Sequence, residues 1–292
     1  MQDRMNKGKG STLPGFGIAV IWGLTFLSIK VAIQEFQPMT LALMRFIMAT
    51  ALVPGIALLT RTSLKVARRD LPILAASGFV GISLYFFFEN NGILRLSASE
   101  SSLIVGTIPV LTLLAEIFLY REKPRVKVVL GILFSFLGVA LIVLRSESAR
   151  SSNFDGYLYM AGAAISWVVY SFLTKPVSNK YPLLSITFWQ IFFGTLGCLP
   201  FALLENKSIL HISGAAWLNV VFLGVFGSAI GYWLYVIMLD NLGASRSSVF
   251  INLIPVVSVI ASFFVLGERL APLQLLGGAA ALAGVYLATA RQ

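Results

Sequence analysis

The chain has 292 residues, of which 58% are apolar and only 12% are charged, and its mean hydropathy is +0.87. Soluble domains are about 45–50% apolar and about 25% charged, so this composition excludes an ordinary soluble protein and predicts an integral membrane protein. The formal net charge of +10 arises from basic residues between apolar runs, which points to membrane orientation rather than to nucleic-acid binding.

Apolar runs of about 20 residues, the length that a helix needs to cross the hydrocarbon core, follow one another along the chain. They leave no room for a soluble domain. Stretches such as VVLGILFSFLGVALIVL are apolar on every face, which excludes the alternating pattern of a transmembrane β-barrel. The predicted fold class is therefore all-α. Ten transmembrane helices are predicted near residues 14–34, 38–60, 71–94, 98–119, 126–144, 155–174, 182–204, 214–238, 244–266 and 272–289.

Basic residues between the spans predict the orientation of the chain. If the N-terminus is cytoplasmic, the cytoplasmic segments carry 15 Lys and Arg residues and the opposite side carries 5. The positive-inside rule therefore predicts that both termini are cytoplasmic. The first span lacks a small-residue cleavage site and leads into a second span, so we expect it to be retained rather than removed as a signal peptide.

One phrase of the sequence occurs twice, half a chain apart. ASESSLIVGTIPV at residues 98–110 corresponds to ASRSSVFINLIPV at residues 244–256. Aligned without a gap, residues 98–144 and 244–290 share 15 identities in 47 positions, more than common apolarity explains. The chain is therefore predicted to contain an internal duplication.

The duplication extends upstream, because Trp22 aligns with Trp167 after a shift of one residue. We predict two five-helix repeats, residues 1–146 and 147–292. Five is an odd number, so the second repeat enters the membrane in the opposite sense and the repeats are inverted. Many secondary transporters are built from inverted repeats, with the substrate site between them near the bilayer midplane.

Several motifs carry a resemblance to a known family. The Arg45-Phe46 pair, the phrase SASESSLIVGTIPV and the segment GERLAPLQLLGGAAALAGVYL at 267–287 resemble the EamA family of the drug/metabolite transporter superfamily over essentially the whole chain. The GER phrase around Glu268 is the strongest element, and the first repeat departs from it with REK around Glu122. Within the family, the chain is most similar to exporters of aromatic and neutral amino acids.

The resemblance implies a multi-pass protein of the bacterial inner membrane that exports small metabolites. It implies amino acids as small-molecule substrates, the lipid bilayer as a partner, and no prosthetic group. No nucleic-acid partner is predicted, and a monomeric state is compatible with the resemblance.

Three ionisable side chains are predicted in the outer third of the membrane, where such groups usually face a cavity or a partner helix. In the functional interpretation, Arg45 or Lys30 receives a substrate carboxylate and Glu89 attracts an ammonium group. Asn90 lies on the same helical face as Glu89. In the structural alternative, Arg45 and Glu89 form an ion pair and Lys30 reaches the membrane surface.

Aromatic residues in corresponding helices of the two repeats are predicted to line a substrate cavity. These are Trp22, Tyr85, Phe86, Trp167, Tyr232 and Tyr235. Trp22 and Trp167 lie in mid-span, away from the headgroup level where interfacial tryptophans usually lie, and a partly wet cavity would supply partners for their N–H groups. For each aromatic residue alone, core packing or lipid contact is the alternative. An aromatic cavity with few charges suits an amino acid with a bulky uncharged side chain.

Two prolines occupy matched positions in the fourth and ninth spans. Pro109 and Pro255 each remove a backbone hydrogen bond, which predicts helix breaks in mid-span next to a transporter's binding site. Asn252, three residues before the second proline, is a predicted substrate contact. The small residues around it could instead serve close helix packing.

The sequence disfavours other classes of function. It contains no nucleophile-and-base pair and no nucleotide-binding loop, and its single Cys198 and single His211 exclude a zinc site of the Cys/His kind. A channel would need a continuous polar pore lining. We therefore predict a secondary transporter that exports aromatic and other neutral amino acids by alternating access, without cofactor or metal. Alternatives are an exporter of multiple drugs or quaternary ammonium compounds and a proton-coupled antiporter. Because no histidine lies in a span, uncoupled transport is favoured.

Overall fold

The computed structural model describes residues 12–96, 101, 104–121, 124–143, 154–205, 212–266 and 272–289, and this part of the chain is a bundle of helices without a strand. In chain order the helices are α1 (Leu13–Ala32), α2 (Pro38–Leu59), α3 (Arg68–Arg95), α4 (Ile108–Tyr120), α5 (Val126–Val143), α6 (Phe154–Ser178), α7 (Leu183–Leu203), α8 (Gly214–Leu242), α9 (244–266) and α10 (Pro272–Thr289).

Six helices in the described ranges are long and apolar enough to cross a membrane. They are α1, α2, α3, α6, α7 and α8, with lengths between 20 and 29 residues. Large apolar side chains face outward, among them Leu59, Phe118 and Tyr286, which are 88%, 84% and 75% exposed. Such surfaces suit a hydrocarbon surrounding, and the protein is a multi-pass membrane protein. The number of spans and the side of the termini remain predictions.

The third and eighth helices each contain a π-helical segment. Phe79–Leu84 interrupts α3 and Leu223–Ile230 interrupts α8. The two segments overlap when the repeats are aligned at their separation of 146 residues. A π-helical turn shifts the backbone hydrogen-bond pattern and often marks a functional site. The sequence predicted neither of these segments.

The two matched prolines begin helical segments instead of bending a continuous helix in its middle. Pro109 is the second residue of α4. In α9 the 3₁₀ segment Val249–Leu253 leads into the α-helical segment Ile254–Leu266, whose second residue is Pro255. A proline in the first turn loses no intrahelical hydrogen bond. The predicted loss of a backbone hydrogen bond is therefore not seen, but the helix is interrupted before each proline, by the turn at 106–107 and by the 3₁₀ segment Val249–Leu253.

Helices α5 and α10 come from opposite halves of the chain and pack backbone against backbone. A Cβ atom added to Gly138 would lie 2.5 Å from the nitrogen of Ala281 and 2.5 Å from the carbonyl oxygen of Gly277. Only glycine permits this approach. The α5–α10 contact therefore depends on the matched glycines of the two repeats.

At one end of the bundle, an acidic residue in each of two connections binds the start of a helix from the other half of the chain. The carboxylate of Glu35 accepts hydrogen bonds from the backbone N–H and the hydroxyl of Ser213, both at 2.6 Å, just before α8. The carboxylate of Glu205 accepts from the backbone N–H groups of Met39 and Thr40, at 2.8 and 2.7 Å, at the start of α2. Negative charge at a helix N-terminus is favourable. The bonds from Ser213 hold the pKa of Glu35 below its usual value.

The opposite end of the bundle is tied in a similar way. Asp70, at the start of α3, accepts a hydrogen bond from the Tyr181 hydroxyl at 2.5 Å and from Lys180 Nζ at 3.2 Å. Both donors lie between α6 and α7. The Ser185 hydroxyl donates to the carbonyl oxygen of Ser63 at 2.5 Å. Connections in each half thus fix helices of the other half at both ends.

Candidate functional site

A cavity lies near the middle of the bundle, between helices of the N-terminal and C-terminal halves. Side chains and backbone of α1, α2, α3, α6, α8 and α9, together with residues at the start of α4, line it. The space that it offers to water is about 40 Å³. Ligand pockets usually measure about 300–1,000 Å³, so the protein is nearly closed around this site.

Seven of the predicted site residues line the cavity. They are Trp22, Arg45, Tyr85, Phe86, Glu89, Trp167 and Tyr232. Tyr235 lies behind this wall, where its ring is 4.8 Å from the Trp167 ring, centroid to centroid. The residues therefore come together from α1, α2, α3, α6 and α8.

Three predicted residues lie away from the cavity, and the prediction is corrected for them. Lys30 is exposed in the last turn of α1. The side-chain amide of Asn90 donates to the carbonyl oxygen of Pro38 at 2.7 Å, and that of Asn252 donates to the Ser135 hydroxyl at 2.7 Å. The two asparagines are buried in contacts between helices, which satisfies their amide donors.

Arg45 is buried, with 2% of its surface exposed, and α2 positions its guanidinium group at the cavity. Its Nε donates to the Ser228 hydroxyl at 2.8 Å, and its guanidinium carbon lies 4.6 Å from the centroid of the Phe86 ring. A Cβ atom on Gly227 would lie 2.9 Å from Arg45 Nη2. The absence of a side chain at Gly227 therefore makes room for the guanidinium group.

Glu89 is the opposite charge in the cavity, and it is 4% exposed. Its Oε1 accepts a hydrogen bond from the Tyr85 hydroxyl at 2.7 Å. Among the described residues, no ion pair within 4.0 Å joins Arg45 and Glu89. The structural alternative of a direct ion pair between them is therefore wrong. Each charge is held by a neutral neighbour.

The two tryptophans of the cavity meet edge to face. The ring centroids of Trp22 and Trp167 are 5.2 Å apart at an interplanar angle of 86°. Trp22 Nε1 donates to the carbonyl oxygen of Gly227 at 3.0 Å, and Trp167 Nε1 donates to the Tyr235 hydroxyl at 2.9 Å. Both indole N–H groups therefore donate to protein atoms, whereas the sequence predicted that a partly wet cavity would supply their partners. This geometry fixes the rings as a rigid aromatic wall.

The π-helical segments supply two of the acceptors around the cavity. Gly81 lies in the segment of α3 and Gly227 in that of α8, at matched positions of the repeats. The Tyr232 hydroxyl donates to the carbonyl oxygen of Gly81 at 2.7 Å, and Trp22 donates to that of Gly227. The only sequence signal for these acceptors was the matched spacing of small residues in α3 and α8.

Sequence reasoning missed part of the cavity wall. Thr25 and Ile29 line it from α1, at helical spacing from Trp22, and Ser228 holds Arg45 from α8. The spacing on α1 could have identified the first two, because residues three and four apart share a helix face. Ser228 lies four residues before Tyr232 on α8, so the same spacing places it on the face of Tyr232, but its bond to Arg45 depends on the contact between α2 and α8. The motif residues Glu122 and Glu268 lie outside the described residues.

Comparison with known proteins identifies the family. The EamA-like transporter family matches residues 12–144 and again residues 155–290. The chain belongs to the EamA-like transporter family. The family match indicates a transporter rather than an enzyme. The central cavity of this EamA-like protein is therefore a candidate for the site through which a substrate passes.

Individual relatives cover the same length. An uncharacterized transporter of Archaeoglobus fulgidus is 30% identical over 269 residues, which cover 91% of this chain and 94% of the relative. A probable terminal-alkyne amino-acid exporter of Streptantibioticus cattleyicolor is 30% identical over 275 residues, which cover 93% of this chain and 91% of that exporter. A solved crystal structure superposes with a TM-score of 0.80 at 22% identity, covering 95% of this chain and 96% of its own. The last comparison supports the fold alone.

Proposed function

We propose that this protein exports amino acids with bulky uncharged side chains across a bacterial inner membrane. The proposed mechanism is alternating access, in which the central cavity between two inverted five-helix repeats, residues 1–146 and 147–292, opens to one side of the membrane at a time. The double match of the family over residues 12–144 and 155–290 supports the repeats. The similarity to a probable amino-acid exporter supports the substrate class.

The separation of Arg45 and Glu89 is the observation that carries the proposal. Arg45 uses only Nε for its hydrogen bond to Ser228, and its two terminal nitrogens have no protein acceptor in the described part of the chain. Glu89 uses Oε1 for Tyr85, and Oε2 has no donor there. Buried charges normally find partners. A ligand that carries both a carboxylate and an ammonium group would satisfy both residues at once.

The proposed orientation of the substrate follows from these partners. Its carboxylate binds the terminal nitrogens of Arg45, a pairing that guanidinium geometry favours. Its ammonium group binds Glu89, and its side chain packs against the wall formed by Trp22, Trp167 and Tyr232. The cavity of about 40 Å³ has to widen to admit such a ligand.

An organic cation is the second candidate substrate. Glu89 and the aromatic rings would attract a quaternary ammonium group. The buried positive charge of Arg45, which lines the same cavity, opposes it. We therefore favour an amino acid over an exported drug cation.

Uncoupled transport is proposed over proton antiport. Glu89 is the single carboxylate that lines the cavity in the described structure, and a relay of further carboxylates or histidines does not reach it there. Transport then follows the substrate gradient. If neutralising Glu89 abolished a dependence of transport on a pH gradient, this part of the proposal would be wrong.

The proposal is tested with the purified protein in liposomes. Radiolabelled tryptophan or phenylalanine is followed without and then with a pH gradient. The competitors are unlabelled phenylalanine, phenethylamine, which lacks the carboxylate, 3-phenylpropionate, which lacks the ammonium group, and a quaternary ammonium compound. We expect saturable tryptophan flux without a gradient and strong competition by phenylalanine alone.

The outcomes separate the candidates. Competition by phenethylamine and the quaternary compound, without amino-acid flux, would support the cation exporter. Flux that requires a pH gradient would support antiport. If no amino acid moves or competes, the amino-acid proposal is contradicted.

A further inference from the structure

A cluster of polar side chains outside the central cavity joins three helices. Glu116 lies on α4, Lys175 on α6, and Ser245 at the start of α9. Lys175 Nζ is 3.6 Å from Glu116 Oε1, and the Ser245 hydroxyl donates to Glu116 Oε2. One carboxylate thus bridges two helices to α4. We call these three residues the Glu116 cluster.

The cluster lies beyond the cavity towards a single end of the bundle. Glu116 follows the cavity residue Ile108 by eight positions on α4, and Lys175 follows the cavity residue Trp167 by eight on α6. At 1.5 Å per residue, both lie about 12 Å from the cavity. The Glu116 cluster therefore lies about two turns nearer than the cavity to the end at which α4 and α6 both finish.

The repeat has no equivalent carboxylate at the opposite end. Aligned at the separation of 146 residues, Glu116 corresponds to Ser262, which carries no charge. Lys175 corresponds to Lys30, after the shift of one residue that aligns the tryptophans. The aligned positions of the other repeat therefore cannot form the same ion pair.

We propose that Glu116 is the gate residue that holds this end of the transport pathway closed at rest. Its carboxylate ties α6 and α9 to α4, and opening separates them. The proposal rests on the alternating-access mechanism proposed above, in which one end opens while the other is closed. Positive charges also surround the gate, because Arg125 and Arg246 line the adjacent cavity of about 240 Å³ beside Glu116.

A buried reporter on the same face of α4 measures opening without any substrate. Thr112 lies one turn from Ile108 and one turn from Glu116, and it is fully buried. The reporter is Thr112→Cys in a Cys198→Ala background. A membrane-impermeant thiol reagent is added to either face of sealed membrane vesicles, and the rate of modification is followed.

Removing the charge is expected to open the Glu116 end. Glu116→Gln is expected to raise the modification rate from that face about 2- to 5-fold, the range for a partly exposed ion pair. Lys175→Met is expected to do the same. The double exchange Glu116→Lys with Lys175→Glu is expected to restore the slow rate. Glu205→Gln is the matched control, because Glu205 binds the start of α2 outside the cluster.

Each outcome bears on the gate separately from the substrate. Wild-type modification rates in Glu116→Gln and Lys175→Met, with normal thermal stability in detergent, would overturn the gate. If the variant with the exchanged pair is still modified fast, the contact between Glu116 and Lys175 is structural and the gate is contradicted. If the rates shift as expected while no amino acid is transported, the gate stands and the proposed substrate fails.

Discussion

Arg45 and Glu89 carry opposite charges inside the bundle, yet each is held by a neutral group. A direct ion pair would have cancelled both charges and left nothing for a ligand to bind. Ser228 and the Phe86 ring keep Arg45 in place, and Tyr85 keeps Glu89 in place. Contacts between a cation and an aromatic ring contribute about 0.5–2 kcal/mol. Neutral partners therefore hold the two charged groups in place and leave both charges available to a ligand.

Replacing Ser228 with alanine removes the hydroxyl that accepts from Arg45 Nε. A hydrogen bond to a charged group contributes about 1.5–3 kcal/mol. We expect Ser228→Ala to raise the KM for tryptophan about 10-fold or more, because the guanidinium group is no longer oriented towards the carboxylate. Liposome flux at a series of tryptophan concentrations measures this change.

Ser83→Ala is the matched control for Ser228→Ala. The Ser83 hydroxyl is buried and donates to the carbonyl oxygen of Gly194, away from the cavity. It should leave the KM unchanged. An equal loss in both variants would attribute the effect to helix packing.

Glu35 gives the connection between α1 and α2 a predictable response to pH. Hydrogen bonds from Ser213 lower its pKa. The stabilisation is complete above the unfolded pKa of about 4.3 and is lost as the pH falls through the lowered folded value. We expect Glu35→Gln to lower the melting temperature in detergent at pH 7, and this difference to shrink as the pH falls below about 4.3. A constant difference across pH 3–7 would contradict the role of the carboxylate charge.

The helices could be predicted from the sequence more completely than their geometry. Apolar runs gave the positions of α1, α2, α6 and α7 within a few residues, because the thickness of the hydrocarbon core dictates their length. The π-helical segments of α3 and α8 leave no comparable mark in hydropathy. The carbonyl oxygens of Gly81 and Gly227 in these segments accept hydrogen bonds from residues far away in the sequence, contacts that hydropathy does not reveal.

The candidate site, like the helices, could be predicted only in part from the sequence. Placement in corresponding helices of the two repeats predicted the five aromatic cavity residues, and the cost of polar groups in hydrocarbon predicted Arg45 and Glu89. Lys30 and Asn252 satisfied the same criterion and still lie elsewhere. Lys30 is one turn from the end of α1 and is exposed, and Asn252 faces α5. The sequence shows which polar side chains are costly to place in hydrocarbon, but not which residue each of them contacts.

The π-helical segment of α8 brings Gly227 against two residues of the other half. A Cβ atom there would lie 2.8 Å from Thr25 Cγ2 and 2.9 Å from Arg45 Nη2. Gly227→Ala is therefore expected to displace the guanidinium group and to lower tryptophan transport about 10-fold. Gly55→Ala, whose added atom meets nothing within 4 Å, should retain full transport. Equal loss of folded protein in both variants, read by size-exclusion chromatography, would contradict the specific clash.

The connections at the two ends of the bundle interlock the halves of the chain. Glu35 and Glu205 each bind a helix of the other half at one end, and Asp70 is bound from the other half at the opposite end. Helices α2, α3, α7 and α8 thus form a frame. The Glu116 cluster, in contrast, joins α4, α6 and α9. We expect the frame to stay fixed while these helices move.

The distribution of basic residues along the chain predicts which loops face the cytoplasm. In a Cys198→Ala background, Lys65→Cys between α2 and α3 should react with an impermeant thiol reagent from the cytoplasmic face. Gln34→Cys between α1 and α2 should react from the opposite face only. Both positions are described as connections between helices. Reaction of both from one face would contradict the predicted topology.

The small volume of the central cavity has a kinetic consequence. A space of about 40 Å³ has room for a few water molecules at most. Any substrate therefore has to force the same helices apart, whatever its side chain. If that separation limits turnover, as opening steps do in many proteins, tryptophan, phenylalanine and methionine will share one maximal rate, and selectivity will reside in their half-saturation concentrations.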